Sequence, residues 1–120
     1  MISIYQIRDA HKRISKYIYK TPIIFSDKLN KMTCSNILIK AENLQKTGSF
    51  KIRGATNMIA QIKEDKVVAP SSGNHAQAVA AACNIFNKAA TLVMPVDAPK
   101  SKIAGVKNYN GKIVYYDRNN

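Results

Sequence analysis

Apolar residues recur at steps of three and four from the start of the chain, where Ile4, Ile7, Ile14 and Ile18 form one stripe with His11 among them. The spacing predicts an amphipathic helix from residue 2 to about residue 19, with Ser3 as its N-cap. Thr21-Pro22 stops it, because a proline disfavours helix in the residue before it. Ser26-Asp27 opens a short helix that runs to Met32, and the β-rich run 36–42 predicts a strand. Residues 43–49 are polar and turn-forming, and a second substantial helix is expected from Ser49 to about Lys63.

The pattern then changes. Val67-Val68-Ala69 is a brief apolar run, followed by the turn Pro70-Ser71-Ser72-Gly73 and an Ala-rich helix from Asn74 to about Phe86. Residues 89–94 read as a buried strand, 99–109 as a helix and 112–116 as a third strand. Strands alternating with helices of about ten residues predict βαβ units and a parallel sheet, hence an α/β fold with a βαβαβ portion. A sheet of three strands leaves its outer faces partly covered, and the first half offers only one or two strands. The architecture reads as unfinished, either a fragment or a chain that associates with something else.

Composition narrows the class. A hydrophobic fraction of 46% and a charged fraction of 22% over 120 residues are those of one globular unit and exclude a disordered tail. No apolar run reaches the roughly 20 residues that span a bilayer. Charged residues among the first 13 stand where a secretory signal needs an apolar core, so a cytoplasmic protein is expected. Cys34 and Cys83 are far apart and make no metal-binding spacing, so no metal is expected. The net charge of +12 raises nucleic-acid binding. The cations are mostly lysines scattered singly, with little arginine to read base edges, so no nucleic-acid partner is expected.

Two stretches carry candidate chemistry. In Gly48-Ser49-Phe50-Lys51-Ile52-Arg53-Gly54-Ala55, Lys51 stands between two apolar residues near a helix start. Lost solvation and the positive end of a helix both favour the neutral, nucleophilic amine. On spacing alone, a lysine snorkelling off an amphipathic helix is the preferred reading. In Ser71-Ser72-Gly73-Asn74-His75-Ala76-Gln77, a turn links a buried strand to a helix, where ligands of parallel sheets bind. Open backbone N–H groups there suit an anion such as a substrate carboxylate. An ordinary N-cap turn has the same composition.

The segment 42–55, from Glu42 through Lys51 to Ala55, closely resembles the cofactor-lysine signature of the threonine/serine dehydratase and serine racemase family. Residues 71–77 resemble that family's second signature, and Thr21-Pro22 falls where the family has such a pair. The resemblance covers the whole chain, as the N-terminal portion of a family enzyme. It implies a partial tryptophan synthase β-like architecture, fold type II among pyridoxal-phosphate enzymes. Residues 1–66 would form the N-terminal part of the large domain, and 67–120 an incomplete small domain. By the same resemblance Lys51 would bind pyridoxal 5'-phosphate covalently and act on the substrate α-proton. Phe50 would pack near the pyridine ring, and Asn74 would hydrogen-bond the phenolic oxygen. Ser71, Ser72, Gly73, Asn74 and His75 would receive the substrate carboxylate. Ser72 stands where the racemases keep an opposite-face acid/base. The implied reaction converts L-threonine or L-serine to a 2-oxo acid and ammonia.

The chain also departs from the family. Its five glycines are isolated, so it has no glycine-rich loop to cradle the cofactor phosphate. Lys51 and Asn74 are 23 positions apart, a few fewer than in the family, with the shortening around 61–66. A few lost residues shift a chain by several ångströms, since a strand advances about 3.3 Å per residue. Little or no dehydratase activity is therefore expected of the chain alone. Expected partners are a small hydroxy-amino acid and a complementing C-terminal chain or a homo-oligomer. Survival as a non-catalytic interaction domain, and serine racemase-like activity, are the alternatives.

Overall fold

The structure is a computed structural model that describes residues 1–119. Helix α1 (Ile4–Ile14) opens with a reciprocal cap, in which Ser3 Oγ accepts from the Gln6 amide and Gln6 Oε1 accepts from the Ser3 amide at 2.8 Å. The helix is shorter than the apolar stripe predicts. After Ile14 the chain tightens, with the Tyr17 amide bonded to the Ile14 carbonyl. This sets the Tyr17 ring edge-on against Phe86 at 4.9 Å and buries Ile18. Ile14 is the buried residue of α1, and Ile4 and Ile7 remain exposed.

Strand β1 (Ile23–Ile24), helix α2 (Asp27–Thr33) and strand β2 (Ile39–Lys40) follow, and β1 pairs with β2 antiparallel. The strand expected over 36–42 is thus only two residues long. Asn30 Oδ1 takes the Ile37 amide and the Pro22 carbonyl takes that of Ala41, so hydrogen bonding closes the ladder at both ends. A single 3-10 turn, Glu42–Leu44, leads into the loop before α3 (Lys51–Ile59).

The remainder is β3 (Lys66–Pro70), α4 (Asn74–Ile85), β4 (Ala89–Pro95), α5 (Lys100–Asn108) and β5 (Lys112–Tyr116). The strands form a parallel sheet in the order β3-β4-β5, as the alternation of elements predicts. Because both crossovers advance the same way, α4 and α5 lie side by side on one face. Ala69, Leu92 and Ile113 share a register row, with Ala69 and Leu92 buried and Ile113 half-buried. On alternate rows Val68, Val114 and Tyr116 are exposed.

Helix α4 lies between α3 and the sheet and is buried nearly all round, from Ala76 through Ala78–Cys83. Alanine is what allows this, since a small side chain lets both neighbours approach closely. Enlarging one is costly: Ala80 has no exposure, so Ala80→Leu is expected to destabilise the chain by about 1–3 kcal/mol. In urea unfolding it should lower the midpoint clearly, whereas Ile4→Ala on the exposed end of α1 should stay within about 0.5 kcal/mol. Among the described residues no helix is long and apolar enough to cross a membrane.

Candidate active site

Helix α3 buries Ile52, Ala55, Thr56 and Ile59, spaced as one helical face, and that face packs on α4. With Ile52 turned inward, Lys51 at the first turn is turned out and exposed. Its Nζ stands 5.2 Å from the centre of the Phe50 ring, within cation–π range. Phe50, Lys51, Arg53, Gly54, Ala55 and His75 line one pocket of 300 Å³. The two stretches singled out in the sequence therefore meet across the α3–α4 contact. The short link after α3 does not part them, since α3 packs on α4 and both stretches border the same pocket. Two larger hollows, of 430 and 410 Å³, are lined by residues of α2 and its surroundings and by residues around α1, and neither reaches Lys51.

The turn before α4 is built by Ser71. Its Oγ accepts from the Gly73 amide at 3.3 Å and the Ala76 amide at 3.2 Å, and its own amide donates to the Val93 carbonyl. Ser71, two residues before the N-cap Gly73, thus takes one of the unpaired amides of the first helical turn. Asn74 and His75 occupy the first helical positions, where amides have no carbonyl within the helix to bond. Ser71, Ser72 and Gly73 are half-buried, while Asn74 and His75 are exposed. Of this stretch His75 lines the 300 Å³ pocket, and Ser72, Gly73 and Asn74 lie in the turn beside it. The Asn74 side chain is engaged: its Oδ1 accepts from Lys102 Nζ at 2.6 Å.

The lysine loop is held by residues to which sequence reasoning gave no role. Glu42 accepts two hydrogen bonds from Arg53, at 2.9 Å from Nε and 2.7 Å from Nη2, and a third from the Thr21 hydroxyl. The paired Arg53 guanidinium, aided by Thr21 against the cost of burial, holds the Glu42 carboxyl down at about 2. The same contact raises Arg53 above its ordinary value. Gln45, buried, accepts from the Tyr19 amide and donates to the Tyr19 carbonyl, both at 2.9 Å. Gly48 turns the loop with φ of +68°, a conformation that costs glycine little. Glu42, Gln45 and Arg53 thus fasten both ends of the lysine loop to residues 19–21. The signal was present in the sequence as a glutamate and an arginine bracketing the lysine, but their pairing is a matter of space.

Pyridoxal phosphate needs an amine for its aldehyde, an apolar surface for its ring, a donor for its ring oxygen and a cradle for its phosphate. Here the exposed Lys51 amine, the Phe50 side, the Asn74 amide and the open amides at the start of α4 match the aldehyde and ring end. The buried hydroxyls of Thr47 and Ser49, just before Lys51, have no hydrogen-bond partner among the described residues. The donor set fits that end of the cofactor, and the chain has no glycine-rich cradle for the other.

Residues 14–120 match the family described as pyridoxal-phosphate dependent enzyme. A serine racemase from Schizosaccharomyces pombe is 42% identical over 116 residues, which cover 93% of this chain and 36% of the relative. An L-threonine ammonia-lyase from Thermotoga maritima is 45% identical over 118 residues, covering 95% of this chain and 29% of its own. The structure of maize serine racemase superposes with a TM-score of 0.90 at 41% identity, over 96% of this chain and 36% of that one. The chain thus spans about a third of the length of these relatives. Its mixed α/β fold with a parallel three-stranded sheet matches that part of fold type II enzymes. With most of its length inside the family match, the chain belongs to the pyridoxal-phosphate dependent enzymes.

Proposed function

We propose that the chain carries the lysine-bearing part of a pyridoxal-phosphate enzyme that releases ammonia from L-threonine or L-serine, the β-hydroxyl leaving as water and a second water hydrolysing the resulting imine to a 2-oxo acid. The observation that carries this reading is the convergence of Phe50, Lys51 and His75 on one pocket at the α3–α4 contact. When bound, the cofactor serves as an electron sink for the bond broken at the substrate α-carbon. Lys51 would hold it through its amine and afterwards take the proton from the α-carbon. Phe50 would flank the ring, and Asn74 would donate to the ring oxygen. Gly73, Asn74 and His75, at the start of α4, would receive the substrate carboxylate, with Ser71 shaping the turn and Ser72 at its edge. Residues 1–66 would be large-domain polypeptide and 67–120 small-domain polypeptide.

Ser72 favours a second reading. Placed half-buried in the turn, its hydroxyl would return a proton to the face opposite Lys51, which is racemisation. The serine racemases among the relatives, as similar as the ammonia-lyases, support keeping it.

Without a phosphate cradle, the hold on the cofactor rests on Lys51 and Asn74, so the chain alone would turn over weakly or not at all. A complementing C-terminal chain would supply the rest. The test is to add pyridoxal phosphate to the purified chain, reduce with borohydride and map the labelled peptide. Label confined to Lys51 is the expected result. Label spread over the surface lysines sinks the proposal and leaves a non-catalytic interaction domain. Sustained 2-oxo acid release by the chain alone would show that Lys51 and Asn74 suffice to hold the cofactor.

A further inference from the structure

Lys102, on α5, reaches across to the start of α4. Its Nζ donates to Asn74 Oδ1 at 2.6 Å and to Gln77 Oε1 at 3.1 Å. The two helices pack along each other, and Gly105 makes the contact possible. A Cβ at Gly105 would stand 1.8 Å from Gln77 Nε2, so Gln77 lies directly against the bare backbone of α5. Lys102 is half-buried in this contact, one turn before Gly105. The arrangement joins a residue 28 positions away to the side chain proposed to donate to the ring oxygen of the cofactor.

We infer that Lys102 is a positioning residue that fixes which way the Asn74 carboxamide points. An ammonium group has donors and no acceptor, so it can bind only the oxygen of the amide. With Oδ1 committed to Lys102, the Nδ2 group is directed away from α5 as a pair of donors. Free of this contact, an exposed asparagine flips at little cost and presents either end. The amide is thereby set to give a hydrogen bond to an electron-rich ligand atom and not to accept one. Gln77 holds the lysine in turn, taking a second of its three protons, and Gly105 holds Gln77. The ligand that Asn74 would serve, the ring oxygen of pyridoxal phosphate, rests on the function proposed above. The orientation of the amide does not.

The test uses the 120-residue chain labelled with ¹⁵N. In the cofactor-free protein, Lys102→Met should displace the side-chain NH₂ signals of Asn74, leave the backbone signals of α3 and the sheet in place, and be largely reversed by Lys102→Arg. After pyridoxal phosphate is added, Lys102→Met should load about tenfold more weakly, the scale of one misoriented hydrogen bond. It should also move the pH midpoint of the visible absorbance, which a merely structural contact would leave alone. Unmoved Asn74 signals in a folded Lys102→Met protein overturn the inference. Displaced Asn74 signals in a chain whose Lys51 takes no label uphold the tie and count against the proposed function instead.

Discussion

Lys51→Arg is expected to abolish covalent capture of pyridoxal phosphate while leaving the fold intact. Arginine keeps the positive charge and the contact with Phe50, so an effect of charge alone would survive the change. It loses the one property the proposal needs, since a guanidinium stays protonated and offers no free amine to an aldehyde. Because Lys51 is exposed and Ile52 carries the burial at this turn, unfolding midpoints should move by less than about 0.5 kcal/mol. Borohydride-fixed label on the 42–55 peptide should fall to background, a drop of about a hundredfold or more if no other group substitutes. Label retained on a neighbouring lysine such as Lys46 would mean that the pocket attracts the cofactor without a dedicated nucleophile.

The second large effect lies at the clamp. Glu42→Gln keeps the shape of the side chain but removes the charge that faces Arg53. Loss of the charge-assisted pair should cost about 1.5–3 kcal/mol at pH 7. The pH dependence follows from the carboxyl being held at about 2 against an ordinary value of 4.5. A depressed carboxyl stabilises the fold fully above its unfolded value and loses that contribution as pH falls through the folded one. The difference in urea midpoint between the two proteins should therefore be complete above about pH 5 and shrink from pH 4.5 toward pH 2. A gap that does not change across this range would show that the pair contributes by packing and not by charge. Because the clamp fastens the loop before Lys51, the same substitution should also weaken cofactor loading at neutral pH.

The second half of the fold was legible because its signals are local. Run 89–94 follows an Ala-rich helix and is separated from 112–116 by Pro99 and the helix after it, and this strand-helix alternation alone dictates a parallel sheet. The first half was less so. Helix α1 carries a stripe whose first two isoleucines find no cover, and its end is decided by where Tyr17 and Ile18 find room. Strand β2 is two residues long, too short for any period to reveal, and its limits are set by Asn30 and Pro22. Lys51 and the 71–77 turn were legible as words of a signature. That Glu42 grips Arg53, or that Lys102 reaches Asn74, follows from how helices pack. Nothing within a window of one helical turn encodes either contact.

Helix α4 also fixes where this sequence is free to vary. Seven of its twelve residues are buried, against one of eleven in α1, so the same random change is far more damaging in one helix than in the other. Most of the seven are already alanine, and almost every single-base replacement there adds volume, or charge, to a space with no slack. Such a helix acts as a ratchet on drift. Its partners on either side, α3 and the sheet, pack against the same narrow spacer, so a change of volume in α4 would also shift Lys51 relative to the sheet.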